Sequence, residues 1–294
     1  MIKTAINEYG GQLTTTSRGS ASSYYCSKLL GFTSIDRFDV EVPIFPERFI
    51  TKDRILSSHQ MPDIDLNIAD QEPFIKAARK LCGEYGCYPL LAVGKLGEKS
   101  GFKLYAGIND IEPKIANEIS KKIDEYNEAV KNAEDDAKDS IDIEDYIKDE
   151  HHLKIFNDSK PYQNIAEQAK VHACGFCVFN GDHKNTDVIG YGDLRYEIGL
   201  IRCVSESTGR STVVLNVEGI YLDSYGYVKD DFLLVDVVSI IYKLYHALGR
   251  EVPTVQELRK MVANDEETWK LYEMGATCCL NQCEKRGTRN KAIS

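Results

Sequence analysis

The chain has 294 residues, 43% of them apolar and 28% charged, which is room for one large domain or two small ones with a buried core and excludes a disordered or fibrous protein. No apolar run approaches the roughly 20 residues of a membrane-spanning helix, and residues 1–8 lack the apolar stretch of a signal peptide, so a soluble cytoplasmic protein with no membrane partner is expected. The formal charge of −10 argues against simple coating of nucleic acid, but residues 124–150 hold twelve acids against three lysines and leave the remainder nearly neutral.

In chain order, residues 10–20 (GGQLTTTSRGS) form a small, polar, glycine-rich loop that feeds a helix predicted from Ser22 and closed by Gly31. Residues 45–66 read as extended chain broken by prolines. Within them Asp63, Ile64, Asp65 and Leu66 alternate as a half-buried strand does, which puts both acids on one face. Helical spacing marks 72–85 and 112–137, the second through Ile115, Ile119, Ile123 and Tyr126, and the acidic run beyond looks like a solvated excursion. Residues 94–159 therefore read as a mostly helical insertion. Short β-rich runs resume at 175–179, 198–204 and 211–217, and a further one at 231–238 follows a Tyr-Gly-Tyr turn. An apolar-periodic helix over 239–248 ends at Gly249, and the chain from Thr254 is helical. No internal repeat is present, which removes solenoid architectures. Nine cysteines, two of them the adjacent Cys278 and Cys279, suit reduced thiols better than a disulfide framework.

Asp63 and Asp65 stand two apart, so on a strand both carboxylates project from one face toward one or two divalent ions. A surface turn after Pro62 is the plainer account of the same residues. Asp230 and Asp231, at the head of an apolar strand, offer a third carboxylate for Mg²⁺, or else cap a β-turn. Two ions on three carboxylates would activate a 3′-hydroxyl and neutralise a leaving pyrophosphate. Arg18, Gly19 and Ser20 at the mouth of a helix combine backbone N–H groups, a helix dipole and a guanidinium, a set suited to a triphosphate, although Gly-Ser is also a common cap. Arg48, Lys52 and Arg54 could meet phosphates or line a solvated face. Lys95, Lys99 and Lys103 recur every four residues, so one helix would carry them as a basic stripe along a phosphate backbone, with salt-bridged surface lysines as the alternative. His172 could orient a phosphate or a neighbouring acid, or sit satisfied in the core. Cys174 and Cys177 form a CxxC that could join Cys278, Cys279 and Cys283 around zinc, but the second group lacks that spacing and Cys177 reads as a small buried hydrophobe. No Walker A, G-x-S-x-G or Cys–His pattern points to a P-loop enzyme or a hydrolase.

Taken in order, these elements resemble the catalytic core of bacterial C-family replicative DNA polymerases, the polymerase III alpha subunits. Arg18-Gly19-Ser20-Ala21-Ser22-Ser23 resembles the family's RGS helix, Pro46-Glu47-Arg48-Phe49-Ile50 its F-E-R-F-L element, and Met61-Pro62-Asp63-Ile64-Asp65-Leu66-Asn67 its P-D-I-D signature. Residues 94–102 are similar to the G-T-x-x-x-K-x-A-F stretch, with Lys99 matching and Lys95 in place of threonine. His172-Ala173-Cys174-Gly175 resembles H-A-G-G with Cys174 in place of a glycine. Lys229-Asp230-Asp231-Phe232-Leu233 resembles K-x-D-F-L-G, and residues 264–284 look like the start of the fingers. The resemblance implies an α/β (α+β) fold, a polymerase-beta-like nucleotidyltransferase palm with an inserted helical thumb. Its parts would be palm over 1–93, thumb over 94–165, palm again over 166–240 and a stub of fingers over 241–294. It further implies that Asp63, Asp65 and Asp231 hold two Mg²⁺ ions and that Arg18, Gly19, Ser20, Lys229 and His172 serve the incoming dNTP. Arg48, Lys95, Lys99 and Lys103 would meet primer-template DNA. Family members are far longer, so a short or split DNA-directed DNA polymerase, completed by a separate chain that supplies fingers or by other replisome subunits, is expected. The alternative is an inactive remnant that binds DNA or a replisome protein.

Overall fold

A computed structural model describes residues 1–14, 18–31, 33–39, 51–57, 64–133, 138, 140–181, 193–204, 209–277, 280 and 283–293. The described chain is mixed α/β and divides into two compact units, Met1–Leu91 with Val171–Ser294, and Ala92–Lys170.

In the first unit, α1 (Ile2–Tyr9) closes on Gly10 in the left-handed conformation, φ 68°, which glycine adopts without a Cβ clash. Leu13 and Arg18 then bridge antiparallel to β1 (Ile64–Ile68). The helix predicted from Ser22 is split: Ser20–Ser23 form a 3-10 turn, Tyr24 is extended, and α2 (Tyr25–Leu30) ends at Gly31. The extended reading of 45–66 is corrected at α3 (Lys52–Leu56), a short helix with Asp53 in its first turn, where an acid suits the helix dipole. Residues 45–50 and 58–63, with Arg48 and Asp63 among them, lie outside the described residues. Beyond β1, α4 (Glu72–Cys82) buries Phe74, Ala77, Ala78 and Cys82, the i, i+3, i+4 spacing of a helix with one face against a core. Strand β2 (Cys87–Lys95) leads out of this unit.

The second unit holds α5 (Glu98–Ile108), α6 (Pro113–Asn132) and α7 (Glu150–Ser159), whose Phe102, Ala106, Ile119, Ile123, Ile155 and Phe156 form a core of their own. Ile119 and Ile123 are the buried pair on the face that the sequence spacing marked. Lys95 ends a strand and only Lys99 and Lys103 lie on α5, so the three lysines do not form one helical stripe; Leu96 and Gly97 interrupt the helical path between them.

Strand β3 (Ala166–Val178) returns to the first unit, followed by α8 (Leu194–Glu197), β4 (Leu200–Val204), β5 (Ser211–Glu218) and β6 (Lys229–Leu234). The run predicted as strand over 231–238 stops at Leu234, the register partner of Ile68, where β1 also ends. Val235 still donates its N–H to Ile68 O (2.9 Å), and Asp236 opens α9 (Asp236–Ala247). Helices α10 (Val255–Val262), α11 (Glu266–Glu273) and α12 (Arg286–Ile293) complete the chain.

The six strands form one mixed sheet in the order β1-β6-β3-β2-β5-β4. β6 pairs parallel with β1 and antiparallel with β3, so a strand late in sequence lies between two earlier ones. One face of this part of the sheet is fixed by aromatic packing. Phe232 is fully buried with its ring centroid 4.8 Å from Phe176 and 6.0 Å from Phe74, beside Leu66 and Ile68. Each such side chain withdrawn from water is worth about 1.5–3 kcal/mol. Among the described residues no helix is long and apolar enough to cross a membrane.

Candidate active site

Alternation along β6 dictates the site. With Phe232 held in the core, Asp231 must project from the opposite face, as must Lys229. Asp65 is the register partner of Asp231 across the parallel pair, so the two carboxylates leave the same face of neighbouring strands. Asp230, paired with Ile64, shares the core side of β6 with Phe232; burial, helped by the adjacent Asp231 charge, pushes its carboxyl up to about 7.

The segment that carries Arg18 runs along the outer edge of β1. Arg18 N donates to Asp65 O (3.2 Å) and Thr14 N to Asn67 O (3.0 Å), which sets Arg18, Gly19 and Ser20 at the end of the strand that bears Asp65. Gly19 has φ 74°, in the left-handed region, and its carbonyl accepts from Ser22 Oγ (2.8 Å).

Around Asp231 the partners are specific. Lys229 Nζ lies 2.8 Å from Oδ2, both side chains largely buried at 28% and 14% exposure. Gly219 leaves the lane through which Lys229 reaches it, since a Cβ there would stand 2.7 Å from Lys229 Cδ. Cys174 Sγ donates toward Oδ1 at 3.6 Å. His172 Nδ1 accepts the amides of Gly175 (2.7 Å) and Cys174 (3.3 Å), which makes the ring neutral with its proton on Nε2. Two successive amides aimed at one atom depart from strand alternation, and this turns Cys174 toward Asp231. Desolvation holds the His172 pKa below its ordinary value, assisted by Lys229 and opposed by Asp231. Desolvation and the Asp231 charge push the Cys174 thiol up to about 11. His172, Cys174 and Asp231 each offer one ligand atom within 4.8 Å of the others.

The β3–β6 ladder runs from Cys177↔Lys229 to Gly175↔Asp231. Just beyond it the Gln71 amide donates to Phe232 O (2.9 Å) and Ala173 O (3.2 Å), a side chain in place of the next rung. Sequence reasoning missed Gln71, because a residue at a helix start shows nothing of the two strands it will bridge. The signal for Cys174 was present as the departure from H-A-G-G.

The structure thus brings together Arg18, Gly19, Ser20, Asp65, His172, Lys229 and Asp231 in one unit. Lys95, Lys99 and Lys103 belong to the other, where Lys99 Nζ pairs with Asp124 Oδ1 at 2.8 Å. Lys99 and Lys103 line a groove of about 410 Å³ with Gly97, Glu98, Ser100 and Asn127.

Residues 2–233 match the family described as the bacterial DNA polymerase III alpha NTPase domain. The chain belongs to that family. DNA polymerase III subunit alpha of Chlamydia muridarum is 25% identical over 279 residues, which is 94% of this chain and 20% of the relative. The subunit of the same name from Staphylococcus aureus is 24% identical over 276 residues, 93% of this chain and 24% of the relative. The chain therefore spans a fifth to a quarter of the length of these curated relatives. The polymerase III alpha match includes β1 and all but the last residue of β6, the two strands that carry Asp65 and Asp231.

Proposed function

We propose that this chain is the palm and thumb core of a DNA-directed DNA polymerase, with a polymerase-beta-like nucleotidyltransferase palm that transfers a deoxynucleotide from dNTP to a primer 3′-hydroxyl. The observation that carries the reading is the register of Asp65 with Asp231 on parallel neighbouring strands, inside a match to the polymerase III alpha family. Such a core works in the cytoplasm on primer-template DNA and dNTP, with other replisome subunits as partners.

The donor set fits hard divalent ions: two carboxylates in register on one face, with Asp63 two residues before Asp65. Asp63, Asp65 and Asp231 would hold two Mg²⁺, which supply activation of the 3′-hydroxyl and charge neutralisation at the leaving pyrophosphate. The chain's own groups bind and orient. The Arg18 guanidinium and the backbone at Gly19 and Ser20 receive the triphosphate, because N–H donors and a fixed cation favour an anion. Lys229, held beside Asp231 by the lane at Gly219, adds a second cation for the same phosphates. Neutral His172 acts on position: it gathers the Cys174 and Gly175 amides and so fixes the strand opposite Asp231. Arg48, Lys95, Lys99 and Lys103 serve the DNA backbone by charge.

Mg²⁺-dependent primer extension tests the reading, with the purified chain alone and with candidate replisome subunits. Extension lost in each of Asp63→Ala, Asp65→Ala and Asp231→Ala is the expected result. Primer-template binding with no extension under any condition would sink the catalytic reading in favour of a replisome-interaction module.

A further inference from the structure

The nucleotidyl-transfer reading makes no use of the Cys174 sulfur. Magnesium takes oxygen ligands in near-octahedral geometry, and a thiol is a poor companion for it. Yet Cys174 Sγ is directed at Asp231 Oδ1, 3.6 Å away, with His172 Nδ1 4.0 Å from the same sulfur. Tetrahedral zinc, with Zn–S of about 2.3 Å and Zn–O of about 2.1 Å, requires a sulfur-to-oxygen separation of about 3.6 Å. The observed edge already has that length. The sulfur-to-nitrogen edge of such a site is about the same and its nitrogen-to-oxygen edge about 3.4 Å, so the imidazole has to approach the sulfur by roughly 0.4 Å and also close on Asp231, the three ligand atoms lying within 4.8 Å of one another. Lys229 occupies Oδ2 and leaves Oδ1, the oxygen on the cysteine side, facing the sulfur. Ligation through Nδ1 exchanges two amide contacts, at 2.7 and 3.3 Å, for a metal–nitrogen bond, the stronger interaction.

We propose that His172, Cys174 and Asp231 form a binding site for a borderline-soft divalent cation, Zn²⁺ foremost, with three protein ligands and a fourth position open to water. Three ligands with an open position is the pattern of accessible rather than structural zinc sites. The site goes beyond the polymerase reading and does not depend on it. Where both hold, they compete for Asp231, and zinc acts as an inhibitor that withdraws this carboxylate from magnesium.

The remaining described cysteines do not form such a group: Cys82, Cys87, Cys177 and Cys203 are buried without a comparable donor set, and Cys26 and Cys283 stand outside any. The test is a Co²⁺ titration of the full chain that reads thiolate-to-cobalt charge-transfer absorption, followed by displacement with Zn²⁺. A single equivalent with the band is expected in wild type and in Cys278→Ser/Cys279→Ser/Cys283→Ser, weakened in Asp231→Asn and absent in Cys174→Ala. Cys174→Ser is the second variant, since it keeps the volume and the hydrogen bond to Asp231 while removing the soft donor. It should fold, lose the band and lose the rise in Tm that Zn²⁺ gives wild type. No band in wild type, a band that survives in Cys174→Ser, or one lost in the C-terminal triple variant would overturn the site, whatever primer extension shows.

Discussion

At Gly175 a methyl group would stand 2.8 Å from His172 Nδ1, closer than real Cβ contacts allow. The ring is fixed by two amides and cannot yield without breaking them, so Gly175→Ala is expected to cost about 1–3 kcal/mol in urea unfolding, the range for overpacked sites. The same variant should change a titration. Burial lowers the His172 pKa, so in wild type the unfolded chain takes the proton first as pH falls through 6.5, and stability is lost toward the lower folded pKa. A ring displaced toward water regains an ordinary pKa, and the NMR midpoint of His172 should rise in Gly175→Ala. An unchanged midpoint would show that the amide cradle does not hold the ring. At this scale the sequence was partly legible. Spacing put Asp65 on a strand face and the family motifs picked out His172, Lys229 and Asp231, but the Lys229 contact needs Gly219 and the Cys174 contact needs a departure from side-chain alternation within β3, and neither follows from adjacency.

Among elements, α6 shows periodicity turned into packing. Ile119 and Ile123 stand one turn apart and bury against Phe102, Ala106, Ile155 and Phe156, while the acids of the same helix face water. Ile123 is fully buried, so Ile123→Ala should remove about 2–5 kcal/mol of stability. Because this core is separate from the one around Phe232, hydrogen exchange should accelerate in α5, α6 and α7 and stay unchanged in β1 and β6. Equal acceleration in both would mean that the two cores unfold together. The boundary error at the end of β6 has a tertiary cause. The apolar run after Asp231 suits strand or helix, and what ends β6 at Leu234 is the end of its partner β1, a fact held by residues more than 160 positions earlier.

For the whole molecule the charge balance is local. Asp124, at the start of the acidic stretch, is paired with Lys99 from outside it, so part of the negative charge of that stretch is already spent on a lysine of α5. Asp124→Asn frees Lys99 and is expected to tighten primer-template binding and to steepen its salt dependence by about one counterion for one added phosphate contact. An unchanged slope would remove Lys99 from the nucleic-acid interface. Sequence alone determined the α/β class, the helical character of the insertion, the face of Asp65 and, through ordered motifs, the family, because periodicity and short motifs are carried by neighbouring residues. Tertiary structure alone decided that β6 lies between β1 and β3, that Asp65 meets Asp231 in register, that Gln71 closes the gap beyond Gly175, and that a thiol faces the carboxylate. These contacts join residues far apart in the chain, and they come to one place as the strands pair and Phe232 is buried against Phe74 and Phe176.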